Sequence, residues 1–347
     1  MKQSELNAYS IIGTRYGQLT LVVWSILILS NCADVTFTQK QDENPQDTDP
    51  EYELLEKAVT VRDSRVDILF VVDNSGSMQQ EHQNMSARVA NFVEKLDRLD
   101  WQMAMTTTDP RSAVTNGDGR LLTFKSGKTI LRSTDPVADS QVDLSATIQM
   151  PTNGSGEEQG ILTTFRMLER AIGGEEPHRT FLRDGAHLAV VLISDEDESA
   201  DGDRNKPDSL INYVKKTWNN LKTLQYHSII TVPNDQACLA PRGTGYTYGQ
   251  RYAEISTKTG GIVGSVCEAD YGAQLAKIGD GVRSLVTSIE LDCEPQDVDK
   301  DGQADLEVTL QGGGIVPGFT IQDKKLVFAD PLPIGQHTVT YACLKNR

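Results

Sequence analysis

The sequence predicts an α/β protein: a doubly wound, mostly parallel sheet flanked by helices in a Rossmann-like arrangement, with a small C-terminal all-β module behind it. Three observations predict this. Val66 to Val72 and His187 to Ile193 are nearly continuous apolar runs, the character of central parallel strands covered on both faces. Segments with helical periodicity alternate with such runs, which is the order of βαβ units. After Leu291 the period falls to two, with Leu306, Val308 and Leu310 alternating with Glu307 and Thr309.

The first segment has the form of an export signal, residues 1–31. Lys2 and Arg15 precede an apolar run from Leu19 to Leu29, which is followed by Ser30-Asn31-Cys32. Leu29-Ser30-Asn31-Cys32 resembles a bacterial lipobox, with Asn31 where Gly, Ala or Ser is usual. The resemblance implies a diacylated Cys32 as the mature N-terminus and a membrane lipid anchor. A plain secretory signal and an uncleaved anchor are the alternatives. Residues 32–58 read as a tether, because Gln41 to Glu53 is rich in Asp, Glu, Gln, Asn and Pro and has little to bury.

The large domain is expected over residues 59–290. A helix follows the first strand, with Met85, Val89, Phe92, Val93 and Leu96 on one face. Trp101 to Thr106 reads as a strand. Residues 110–155 read as irregular, with an inserted hairpin of Leu121–Phe124 and Thr129–Leu131 around Ser126-Gly127. A second helix carries Leu162, Phe165, Leu168 and Ile172, and a third opens at Pro207-Asp208 and carries Leu210, Val214, Trp218 and Leu221. Tyr226 to Val232 and Ile262-Val263-Gly264 read as further strands. A final helix carries Leu275, Ile278, Val282, Leu285 and Ile289. Residues 291–347 form the β module, its strands separated by Gly312-Gly313-Gly314, Pro317-Gly318 and Pro333-Ile334-Gly335.

The chain carries a formal net charge of −16 over 347 residues, which argues against nucleic acid as a partner and suits work with cations. Five cysteines leave four if Cys32 is lipidated: Cys238, Cys267, Cys293 and Cys343. An even number in an exported chain suggests two bridges. The simplest pairing is Cys238–Cys267 and Cys293–Cys343, and sequence alone leaves the connectivity open. The second bridge would staple a module too small to be stable by its core alone.

Asp73-Asn74-Ser75-Gly76-Ser77 stands at the carboxyl end of the first apolar strand, where open α/β sheets bind ligands. A carboxylate and two hydroxyls at alternate positions are hard oxygen donors suited to Mg²⁺ or Mn²⁺. This motif, between an apolar strand and a helix, resembles the metal-ion-dependent adhesion site of von Willebrand factor A domains. The resemblance spans about residues 60–290 and implies two further ligands. An Asp after a later strand matches Asp195, which is followed by Glu196-Asp197-Glu198. A Thr in a glycine-rich loop matches Ser155 of Gly154-Ser155-Gly156, a Ser that keeps the hydroxyl. Phe181-Leu182-Arg183, Leu188-Ala189-Val190-Val191 and Ser194-Asp195-Glu196 resemble bacterial cell-envelope members. In such domains a carboxylate of a partner protein completes the metal's coordination. Thr106-Thr107-Thr108-Asp109 ends a strand on the same edge and reads as a polar loop.

Asp297, Asp299, Asp301, Gln303 and Asp305 form a second set, in a DxDxDGxxD loop of the kind that wraps Ca²⁺. Val308 stands where an EF-hand has its bidentate Glu, so the loop is nearer to isolated calcium loops of extracellular modules. A stabilising role is expected of it.

The chain has no HExxH, Walker or GxSxG motif, and its five histidines are scattered. The leading expectation is therefore a lipid-anchored, metal-dependent protein-binding or adhesion module of the bacterial cell envelope, and not an enzyme. A metal-dependent hydrolase, with the Asp73/Asp195 cation as Lewis acid, and a structural envelope protein stabilised by its metals are the alternatives.

Overall fold

The computed structural model describes residues 51–113, 117–243 and 246–345. The export signal, Cys32 and the first part of the expected tether lie outside the described residues. The strands are β1 (Tyr52–Val61), β2 (Arg65–Val72), β3 (Asp100–Thr107), β4 (Leu131–Arg132), β5 (His187–Ile193), β6 (Leu224–Ile230), β7 (Val263–Ser265), β8 (Ser288–Glu290), β9 (Leu306–Leu310), β10 (Phe319–Gln322), β11 (Lys325–Phe328) and β12 (Gly335–Leu344). The helices are α1 (Gln79–Ser86), α2 (Val89–Val93), α3 (Val137–Ile148), α4 (Gly160–Ile172), α5 (His178–Phe181), α6 (Pro207–Thr217), α7 (Gln236–Leu239), α8 (Gln250–Lys258) and α9 (Tyr271–Thr287).

The main sheet has the order β4-β3-β2-β5-β6-β7. Its β3-β2-β5-β6-β7 part is parallel, and β4 is an antiparallel edge. The predicted doubly wound fold is therefore present. Alternate residues of β2 enter two separate cores. Ile68, Phe70 and Val72 face Met85, Phe92, Leu275 and Ile278 on one side. Leu69 and Val71 face Phe165, Leu168, Leu210 and Val214 on the other. The N-terminal end of the sheet is closed by ions: the fully buried Asp67 carboxylate takes Arg183 Nε at 2.7 Å, with the buried Lys222 ammonium 4.0 Å away.

Two expectations about the large domain are corrected. Residues 110–155 are not all irregular, because α3 occupies Val137–Ile148. Its apolar residues do not lie on one face, since Val137 and Val142 are exposed while Leu144 and Ile148 are buried. The periodicity is therefore faint, and Pro136 at the N-cap is the stronger signal. The expected hairpin is reduced to a turn, with Phe124 N–H donating to Lys128 O at 2.7 Å. Leu122 bonds to Met105 across the sheet, and only Leu131–Arg132 pairs as a strand.

The tether also ends earlier than residue 58. Tyr52–Val61 forms β1, paired antiparallel with β12 along its whole length. Leu55, Val59 and Val61 pack against Leu310, Val339 and Tyr341, so the β module reaches back to the start of the described chain. Its two sheets, β1-β12-β9 and β10-β11-β8, share this core. The acidic composition of the stretch before it masks the alternation that makes β1. Both disulfides have the expected pairing, Cys238–Cys267 in the large domain and Cys293–Cys343 in the module.

His227 on β6 is fully buried, and burial alone pushes its pKa down to about 3. Its Nδ1 accepts from Ile262 N–H, so Nε2 carries the proton toward Gln225. Helix α9 passes so close that a Cβ on Gly281 would lie 2.7 Å from the imidazole. The folded state refuses a proton that the unfolded chain accepts below about pH 6.5. Stability from this group is thus complete above that pH and falls by about 1.4 kcal/mol per unit as the pH drops toward about 3. Urea denaturation at pH 7 and pH 5 should show wild type losing roughly 2 kcal/mol more than His227→Gln. Equal losses would count against a neutral buried His227.

Candidate metal centres

Strands β2 and β5 are neighbours, yet the chain leaves them toward opposite faces of the sheet, to α1 and to α6. This is the switch point at which open α/β sheets form a crevice. Asp73 N–H donates to Ile193 O across it at 2.9 Å. Both strands end in an aspartate there, and Asp73 and Asp195 are fully buried.

The Asp73–Ser77 loop is ordered by its own polar groups. Ser75 N–H donates to Asp73 Oδ1 at 2.8 Å, and Ser194 Oγ donates to Oδ2 at 2.7 Å. Ser75 Oγ and Ser77 Oγ are 2.9 Å apart, and Ser77 Oγ donates to Asp195 Oδ1 at 3.1 Å. His82 Nε2 holds the Asp73 carbonyl from α1 at 2.7 Å. Four of the five residues expected at this site are thus brought together.

Ser155 is placed differently. Its Oγ accepts from Glu157 N–H at 3.0 Å within its own turn, and its N–H donates to Asp109 Oδ2 at 3.1 Å. Asp109 is in turn paired with Arg111. The loop does abut the site: Gly154 N–H donates to Asn74 O at 2.8 Å, and a Cβ on Gly154 would collide with the Asn74 amide. No bond links the Ser155 hydroxyl to Asp73, Ser75, Ser77 or Asp195 among the described residues.

The site is crowded with acid. Burial first, and then the charge of Asp73, pushes Asp195 up to about 6. Burial likewise raises Asp73, against the hydrogen bonds from Ser194 and Ser75. Glu158 is raised by burial and then by the charges of Asp73, Glu196 and Asp195. Arg242 answers part of this charge, bonding Asp195 Oδ2 at 2.5 Å and Glu81 Oε1 at 2.9 Å. It sits in the segment clamped by Cys238–Cys267. The sequence offers no motif for Arg242 or Glu158; Ser194 lies in the Ser194-Asp195-Glu196 segment that carried the resemblance, without a role assigned to it.

This arrangement fits a divalent cation. Neighbouring ligands of an octahedral Mg²⁺ lie about 3.0 Å apart when each bond is about 2.1 Å. The spacings Ser75 Oγ–Ser77 Oγ and Ser77 Oγ–Asp195 Oδ1 match that edge. The buried Asn74 Oδ1 and both oxygens of Glu158 have no hydrogen-bonding partner. Asp73, Ser75, Ser77 and Asp195 would hold the ion.

In fold, the chain resembles von Willebrand factor A domains. Similar solved structures include a von Willebrand factor type A protein from Catenulispora acidiphila (12% identity, 86% of this chain and 66% of that one, TM-score 0.39). The open form of the SpaC pilus adhesin from Lactobacillus rhamnosus GG is another (12% identity, 84% of this chain, TM-score 0.41). A third is proximal thread matrix protein 1 from the mussel byssus with a zinc-occupied adhesion-site motif (16% identity, 66% of this chain and 48% of that one, TM-score 0.38). The chain spans 41% of the length of the pilus adhesin. No protein-family model matches the chain, and no curated protein does. At this level of likeness the fold rests on the strand order and switch point above.

The acidic loop before β9, in the β module, is the second candidate centre. One carboxylate oxygen from each of Asp297, Asp299 and Asp305 falls within 4.8 Å of the others, the span of a Ca²⁺ shell with bonds of about 2.4 Å. Asp297 accepts from Asp301 and Gly302 N–H, and Asp305 from Val298 N–H. Lys300 and Gly302 take positive φ to close the turn. Asp301 is not in the converging set; its carboxylate accepts from Gln303 N–H at 2.8 Å. The loop is stitched to β12 by Ala342 N–H on Asp305 O, one residue from the Cys293–Cys343 bridge.

Two outcomes follow for the melting temperature. Saturating Mg²⁺ should raise it by roughly 5 °C or more over the chelator-treated protein. Asp73→Asn should remove that rise without lowering the chelator-treated value, since the amide keeps an acceptor and sheds a buried charge. A full Mg²⁺ response in Asp73→Asn would show that the ion binds elsewhere. Ca²⁺ should give a separate increment that Asp297→Asn abolishes and Asp73→Asn leaves intact; a Ca²⁺ response unchanged in Asp297→Asn would exclude the loop.

Proposed function

We propose that this chain is a divalent-metal-dependent protein-binding or adhesion module of the bacterial cell envelope, and not an enzyme. The observation that carries the reading is the oxygen cluster of buried Asp73, Ser75 and Asp195 with half-buried Ser77 at the switch point of a parallel sheet. Its hard donor set of carboxylates and hydroxyls suits Mg²⁺ or Mn²⁺, and Ca²⁺ is assigned to the module loop as a stabilising ion. Such a metal would accept a carboxylate from a partner protein on its solvent side, and Ser77 is the half-buried member of the set that would hold it.

Export is supported by the sequence before Cys32 and by two disulfides, which persist in oxidising compartments. No described helix is long and apolar enough to cross a membrane. The lipobox-like Leu29-Ser30-Asn31-Cys32 is what supports attachment through a lipid on Cys32. The binding reading is favoured over a hydrolase by what the histidines do. His82, His178 and His337 bond main-chain carbonyls, His187 takes Thr223 N–H, and His227 lies inside the core. None is presented to the crevice as a general base.

Panning a random peptide library on the purified protein in Mg²⁺ should enrich sequences bearing aspartate or glutamate. Their binding should vanish in EDTA and in Asp73→Ala. Peptides that bind equally well in EDTA would overturn metal-dependent recognition.

A further inference from the structure

Glu158 is the buried group that the expected ligand set leaves without work. The residue is 1% exposed, and its carboxylate oxygens have no hydrogen-bond donor from another residue apart from the Glu196 carboxyl, which donates only when protonated. A buried carboxylate in that condition is costly unless a proton or a cation meets it. Its own carbonyl accepts from Ser199 N–H in the loop that carries Asp195 and Glu196, so its main chain is fastened beside the acidic cluster.

Its position is built rather than incidental. Gln159 N–H donates to Thr108 O at 3.0 Å, which ties the segment to the end of β3. Ser199 N–H donates to Glu158 O at 2.8 Å, which ties it to the loop after β5. Just beyond, α4 begins, and its first amides are satisfied from outside. Gly160 N–H donates to Tyr252 Oη, while Ile161 and Leu162 N–H donate to the buried carboxylate of Glu198. Asn205 Nδ2 fixes Glu198 in turn at 2.6 Å. Glu158 is thus held by β3, the β5 loop and the α4 cap, the elements that surround the switch point.

We propose that Glu158 is a direct ligand of the metal bound by Asp73, Ser75, Ser77 and Asp195, in the place expected for the Ser155 hydroxyl. The assignment rests on the metal-site reading above. It replaces a neutral donor with an anionic one, so the cation meets three carboxylates and two hydroxyls. Affinity for a hard divalent ion rises with the number of charged ligands. The rival is a proton shared by Glu158 and Glu196, which would satisfy the same oxygens without metal.

Calorimetric titration of Mn²⁺ into the chelator-stripped protein separates these. Glu158→Gln should weaken binding tenfold or more, while Ser155→Ala should bind as wild type does. Unchanged affinity in Glu158→Gln together with loss in Asp73→Ala would overturn the Glu158 assignment and leave the metal site standing. Unchanged affinity in Asp73→Ala would overturn the site itself. Melting in EDTA reports whether Glu158→Gln folds. If it does not, the wild-type protein crystallised with Mn²⁺ decides: anomalous scattering should place a Glu158 oxygen within about 2.3 Å of the ion. An ion bound to Asp73 with Glu158 outside its shell would refute the assignment.

Discussion

The main-chain bond from Asp73 to Ile193 spans the gap where neighbouring parallel strands send the chain in opposite directions. Both strands end in aspartate at that gap, so two carboxylates are buried side by side. Everything around them bears on how that charge is met. Ser194 and the Ser75 amide donate to Asp73, Ser77 donates to Asp195, and Arg242 reaches in from the disulfide-clamped segment. Among the described residues, Arg242 is the cation that bonds to the cluster, which also includes Glu81, Glu158 and Glu196.

The two ends of the sheet make an instructive contrast. At the N-terminal end, the buried Asp67 is matched by Arg183 and Lys222. That cluster is closed and structural. At the C-terminal end, acids outnumber bases and the oxygens point toward one another. Burying like charges without partners destabilises a fold, and under the proposed reading a bound cation would offset that cost.

The β module is less separate than its position in the sequence suggests. Its sheet is completed by β1, which precedes the large domain, and Cys293–Cys343 and the acidic loop flank the same strand pair. The large domain is thus inserted between the two ends of the module's outer sheet. An ion in the loop would stiffen the strand pair into which the first described strand is also laced.

What the sequence by itself determined is local. The apolar runs of β2 and β5 are legible because a strand covered on both faces needs every side chain apolar. The Asp73–Ser77 and Asp297–Asp305 loops are legible because their donors are spaced within one turn. Pro207 and the four later cysteines likewise announced α6 and the two bridges. What only the tertiary structure decided is the meeting of residues far apart in the chain. Helix α3 lacks a clean apolar face, and β1 finds its partner some 280 residues later. Glu158 and Arg242 reach the site, and Ser155 turns from it, through contacts with β3, Glu198 and the Cys238–Cys267 clamp. No local pattern encodes those approaches, because they are set by how helices and loops pack on the finished sheet.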